Sequence, residues 1–186
     1  VGRTGRIIAV VLFLALLFGV AELSGLRAHF SIEYLRKILG DHPVGGLAVF
    51  VLLFCLGNLI QVPGFLFAGA AVLALGRSWG GLVTYVAACV SCAVTFFTIR
   101  TLGGNALADW KNRTAARLLF HLHARPVRNV ALLRVMFQTL PALNYALAMS
   151  GVKFRAYATG SLLGLPLPIA IYCLLFDYVL AMLKLA

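Results

Sequence analysis

VGGLAVFVLLFCLGNLIQVPGFLFAGAAVLAL, residues 44–75, is apolar almost throughout and is interrupted near its middle by Gln61-Val62-Pro63-Gly64. At about 1.5 Å per residue a straight helix over this run would reach about 48 Å, against about 30 Å for the hydrocarbon core of a bilayer. It is too long for one simple span. Pro63 removes a backbone donor and Gly64 tolerates unusual dihedrals, so the chain can turn there if protein or trapped water satisfies the backbone groups it frees. The stretch predicts a half-membrane hairpin over 44–75, broken at Pro63 and Gly64.

The rest of the composition agrees. Of 186 residues 62% are hydrophobic and 11% charged, and the mean hydropathy is +1.00. This is the composition of an integral membrane protein, with no polar region large enough for a second, soluble domain. Sixteen Lys and Arg against five Asp and Glu give a formal charge of +11. The basic residues flank apolar runs, where the positive-inside rule and anionic headgroups account for them, and no nucleic-acid module is visible. Cys55, Cys89, Cys92 and Cys173 all fall inside apolar stretches and read as buried thiols. The Cys89-Val90-Ser91-Cys92 spacing has no second ligand pair, so it reads as helix packing. His121 and His123 are two apart with no partner ligand nearby, and no metal or cofactor is expected.

Working outward, Arg3 and Arg6 precede Ile7 to Leu23, an apolar stretch long enough to span. A signal peptide is the rival reading; a retained first helix with a cytoplasmic N-terminus fits a chain that is itself membrane-embedded. Residues 31–40 place Ile32, Leu35, Ile38 and Leu39 at helical spacing behind Ser31, which predicts an amphipathic helix on the membrane surface. After a polar break at 76–81, residues 82–102 are apolar and rich in Ala, Cys, Ser and Thr, suited to close helix packing. Arg100, at the end of this helix, can snorkel. Residues 103–129 form the most basic stretch, with Lys111, Arg113, Arg117, Arg125 and Arg128 against Asp109 alone.

That stretch tests the hairpin. With the N-terminus inside and 7–23 crossing outward, a single crossing by 44–75 would leave the basic segment outside, against the positive-inside rule. If 44–75 enters and returns, helix 82–102 brings it inside. Residues 130–149 repeat the theme: an apolar run containing Arg134, Gln138, Pro141 and Asn144, followed by Lys153 and Arg155. Arginine this deep in apolar sequence costs several kcal/mol even on permissive insertion scales, so it should face a cavity or a protein partner.

The expected architecture is an all-α polytopic membrane protein in which two re-entrant hairpins of opposite orientation pack with transmembrane helices as an inverted repeat. Its parts are an N-terminal helix and interfacial helix (1–43) and a membrane domain (44–183). The domain comprises hairpin 44–75, helix 82–102, basic cytoplasmic connector 103–129, hairpin 130–149 and helix 157–183.

The strings "VPGFLFAGAAVLALG" and "LLRVMFQTLPALNYALAMSGVKFRAYATGSLLGLPLP", with the Gly- and Ala-rich helix between them, resemble the VTT-domain family, also called SNARE-associated or DedA-like membrane proteins. The resemblance covers about residues 44–173. It implies two facing re-entrant hairpins and movement of lipids or lipid-linked carriers between leaflets, in bacterial relatives at the inner (plasma) membrane. The matching positions are Pro63 and Gly64, then Arg134, Pro141, Asn144, Tyr145 and Gly151, with Tyr157 and Gly164 matching less specifically. The DedA branch carries acidic residues around its first Pro-Gly motif, where this chain has Gln61 and Phe65. That departure argues against proton-driven antiport of the DedA pattern.

The expected function is lipid transport or scrambling, with anionic lipid headgroups as partners; a homo-oligomer is left open. Arg134, Asn144, Gln61 and Tyr145 are the candidate substrate-binding residues, and Pro63, Gly64, Pro141 and Gly151 the residues that shape the breaks. A phosphate crossing an apolar bilayer needs a compensating charge, which a guanidinium supplies through two parallel hydrogen bonds. A small-ion or solute transporter and a non-transporting scaffold are the alternatives. No catalytic elbow, zinc-protease motif or P-loop is present, so no enzyme is expected.

Overall fold

A computed structural model describes residues 3–23, 31–41, 43–108, 120, 122–137, 140 and 142–185. Among these the chain is helical, with no strand. The helices are α1 (Arg3–Leu23), α2 (Ile32–Asp41), α3 (Pro43–Leu59), α4 (Gly64–Gly103), α5 (Pro126–Phe137), α6 (Ala142–Met149), α7 (Phe154–Gly164) and α8 (Pro166–Leu185). Three described stretches are long and apolar enough to cross a membrane: Thr4–Leu23, Gly64–Gly103 and Phe154–Val179.

The break after α3 forms as expected, but its special dihedral falls on a different residue. Gln61 has φ 62°, and Gly64 is not among the positive-φ residues. The Val62 amide reaches back to the Gly57 carbonyl at 2.7 Å. This is the six-residue closure of a Schellman motif, with Gln61 where glycine usually stands. Pro63 (φ −63°) then precedes α4 without a side-chain cap, its fixed φ suiting a helix start. The Phe67 ring closes the hairpin by packing edge-on to Phe50 at 5.8 Å and against Phe54 at 4.4 Å.

Helix α4 is not one rod. Gly76 has φ 78° and ψ 172°, a conformation open to glycine. The chain folds back there so sharply that a Cβ on Gly80 would lie 2.6 Å from the Ala71 carbonyl carbon. The polar break expected over 76–81 is thus a single residue, and the following helix begins at Arg77 rather than Leu82. This second segment of α4 is the axis of the molecule. Asn58, at the end of α3, hydrogen-bonds Ser91 and Thr95 on it. Ser91 lies about 21 Å from Arg77 and about 18 Å from Gly103 along the helix, so the hairpin tip reaches halfway.

The C-terminal half packs on the same axis. Helices α5 and α7 run parallel, Val127 and Val130 meeting Gly160 while Ala131 and Arg134 meet Gly164. Cβ atoms at these glycines would stand 2.6–2.7 Å from the neighbouring chain, a close approach of the small-xxx-small kind. Helices α7 and α8, bent at Leu165, run against α4 in the opposite sense. Phe154 and Tyr157 pack on Phe96, Cys173 stands against Gly81, and Asp177 pairs with Arg77 at 3.2 Å. Helix α1 also runs antiparallel to this axis, with Val10 at Gly103 and Arg6 at Gly104. It is largely exposed, apart from Val10 and Ala21.

Two expectations acquire detail. Ser31 Oγ accepts the Tyr34 amide at 3.2 Å, as an N-cap should. The apolar stripe behind it is packed on protein: Leu35 and Leu39 are buried where α2 meets α3 and α4. Gly151 has φ 86° and breaks the chain between α6 and α7 as anticipated. The break at Pro141, with Gln138, Thr139 and His121 and residues 109–119 of the basic connector, lies outside the described residues.

Candidate functional site

The close α5–α7 crossing carries Arg134 into the protein, where it is 2% exposed. Its Nε donates to Ser161 Oγ at 3.1 Å and its Nη2 to the Tyr157 hydroxyl at 2.7 Å. The guanidinium carbon also stands 5.1 Å from the centre of the Tyr157 ring, a cation–π contact. None of its hydrogen-bond partners among the described residues is a carboxylate. The cation is therefore held by neutral groups, which orient it without neutralising it.

From Tyr157 a chain of hydrogen bonds crosses the molecule. The Tyr157 hydroxyl reaches both Asn144 Oδ1 and the Cys92 carbonyl at 3.1 Å. Asn144 Nδ2 donates to Asn58 Oδ1 at 2.9 Å. Asn58 Nδ2 in turn reaches Ser91 Oγ at 2.9 Å and Thr95 Oγ1 at 3.1 Å. The Tyr145 hydroxyl points at the Asn58 and Leu59 carbonyls, 3.0 and 2.9 Å away. These two carbonyls belong to the end of α3, where helical partners run out. The two halves of the chain thus meet through polar side chains in an apolar setting, where an unmade bond costs about 1–3 kcal/mol.

Beside Arg134 the wall between α4 and α7 opens into a groove of about 280 Å³, lined by Cys89, Val90, Ala93, Tyr157, Ser161 and Leu162 among others. Its lining is apolar except where Tyr157 and Ser161 stand, the two residues that hold Arg134. Tyr157 and Ser161, themselves buried, form the part of this wall that separates the groove from the guanidinium.

The sequence-derived candidates are brought together in part. Arg134, Asn144 and Tyr145 belong to one connected network. Gln61 does not: it lines a separate groove of about 340 Å³ with Leu14, Phe18 and Gly19 of α1. Pro63 and Gly151 stand at turns, and Gly64 opens α4. The network also takes in Asn58, Ser91, Thr95 and Ser161, which no sequence pattern marks as site residues; each is a polar side chain in an apolar run. The spacing Gly160-x-x-x-Gly164 was the available signal for the crossing that buries Arg134. Arg100, expected to snorkel, instead turns inward onto the Ala148 and Val152 carbonyls and Asn105. Among the described residues no group of three His, Cys, Asp or Glu side chains could hold a metal ion.

Long apolar helices around a buried polar network define an all-α integral membrane protein. The VTT domain model matches residues 62–178, more than half of the chain, and the chain belongs to that family. No curated protein and no solved structure shows a significant match to it.

Proposed function

We propose that this protein moves the anionic headgroup of a phospholipid or lipid-linked carrier between membrane leaflets, as a non-enzymatic transporter or scramblase. The observation that carries the reading is Arg134, a buried cation with neutral partners beside an apolar groove. Burying such a charge works against stability unless it is paired, so its retention in an apolar run fits a role with an anion. A phosphate reaching the groove displaces the Tyr157 and Ser161 hydroxyls and takes both edges of the guanidinium. The acyl chains stay along the apolar wall and in lipid.

In this reading the protein lies in the bacterial inner membrane, and the hairpins α3–α4 and α5–α6 are re-entrant from opposite sides. Three features support an inverted repeat. Each hairpin is followed by a glycine with positive φ, Gly76 or Gly151. A long helix follows each glycine, and the two run in opposite directions. The tip of the first hairpin bonds α6 of the second through Asn58 and Asn144.

The test is headgroup translocation in liposomes containing the purified full chain, read for phospholipids and for a polyprenyl phosphate, with a small-ion flux measured in parallel. Translocation above that of protein-free vesicles is expected for at least one lipid. Ion flux without lipid movement would replace the reading with a solute transporter, and neither would leave a scaffold.

A further inference from the structure

Away from the Arg134 network, Thr84 Oγ1 is buried without a hydrogen-bond partner, and among the described residues no other buried side-chain nitrogen or oxygen is in that position. Thr84 itself is 2% exposed. It lines a small, partly open cavity with Phe54, Gly64, Phe65, Ala68 and Tyr172. Gly64 and Phe65 are the first residues of α4, whose first segment runs for 12 residues to the bend at Gly76. The Leu66 amide turns back on the Pro63 carbonyl at 3.2 Å, and the amides of Gly64 and Phe65 before it have no partner within the helix. Pro63, in the N-cap position, offers no side-chain cap. The cavity thus joins a buried hydroxyl that lacks a partner to a helix N-terminus that lacks a cap.

The cavity volume is about 10 Å³, about the minimum that holds a single water, which needs at least two polar partners. We propose that this cavity binds one water molecule, bridging Thr84 Oγ1 to the uncapped start of α4. The water accepts from the helix amides and exchanges a hydrogen bond with the threonine, ending two deficits at once. It also gives Gly64 a role that its backbone angles do not require. A methyl group there would stand 3.8 Å from Phe54 Cζ, an ordinary contact, so packing tolerates a side chain. Glycine keeps the room at the helix start open. The site is distinct from the Arg134 groove and uses none of its residues.

Thr84→Val removes the hydroxyl at nearly constant shape and gives opposite signs for the two states of that group. If the hydroxyl holds a water, the full chain in detergent loses about 3 °C of Tm, and Thr84→Ser recovers most of it. If the hydroxyl has no partner, its removal leaves Tm unchanged or raises it, which overturns the proposal; so does a Thr84→Ser variant no better than Thr84→Val. A density map that shows ordered solvent should place one peak within hydrogen-bond distance of Thr84 Oγ1 in the wild type and none in Thr84→Val. A site without that peak refutes it. Exchanging chloride for gluconate should leave Tm unchanged; a chloride-dependent Tm would assign the cavity to a halide instead.

Discussion

Arg100 and Arg134 both lie in apolar helices of this protein, and their surroundings differ in kind. Arg100, near the end of α4, gives Nε to the Ala148 carbonyl, Nη2 to the Val152 carbonyl at 2.8 Å and Nη1 to Asn105 Oδ1 at 2.7 Å. Its guanidinium also stands 4.7 Å from the Phe96 ring centre. Ala148 lies in the last turn of α6, so Arg100 caps the negative end of that helix. Arg134 is more deeply buried, yet among the described residues its guanidinium bonds two hydroxyls and faces a ring. The Ala148 carbonyl, at a helix end, lacks a helical partner, and backbone carbonyls cannot rotate away from their cation as a hydroxyl can. Hydroxyls rotate and can exchange one partner for another. Burial depth alone thus does not separate a structural arginine from one available to a ligand; the nature of its acceptors does.

The contrast can be broken by experiment. Arg100→Gln should have the largest effect on stability, about 3 kcal/mol, because two charge-assisted bonds to carbonyls are lost. It should appear as a lower Tm, with translocation per folded molecule close to wild type. A wild-type Tm would remove Arg100 from its structural role.

A smaller effect is expected where the end of α3 meets α6. Asn58→Ala and Asn144→Ala should each cost about 2 kcal/mol by stranding buried partners. The double variant should cost less than their sum, with a coupling of about 1 kcal/mol in a double-mutant cycle. Strict additivity would mean that the two asparagines do not depend on each other.

The smallest effect concerns Gln61. Glycine at its left-handed position should relieve steric strain of about 1 kcal/mol, partly offset by the entropy of a more flexible unfolded chain. A Tm at or above that of wild type, with unaltered translocation, would mark Gln61 as a turn residue. Loss of translocation in Gln61→Gly would return it to the substrate path.

The chain's sequence made much of this legible, for physical reasons that can be traced. Length against bilayer thickness exposed the break near Pro63, and a guanidinium in an apolar run exposed Arg134, because both violate strong constraints on membrane helices. What stayed hidden depends on three-dimensional partners. Gln61 takes the dihedral that composition would give to Gly64, since a side chain can occupy that region at modest cost. Gly76 turns α4 back within helical backbone, so a six-residue polar break shrinks to one residue. Asn58 and Tyr157 matter because the fold brings them to Asn144, which is 86 residues from Asn58 and 13 from Tyr157. No local pattern marks such a meeting.

Whether Arg134 serves the moving headgroup is decided by a paired measurement. Lipid translocation and Tm are compared for wild type and Arg134→Gln, at equal amounts of folded protein in the same liposomes. The expected result is a loss of translocation of about tenfold or more, the effect of removing a charge-assisted contact to phosphate, with Tm unchanged or raised because a buried charge has been removed. Wild-type translocation in Arg134→Gln, or a fall in translocation that only follows a fall in Tm, would contradict it.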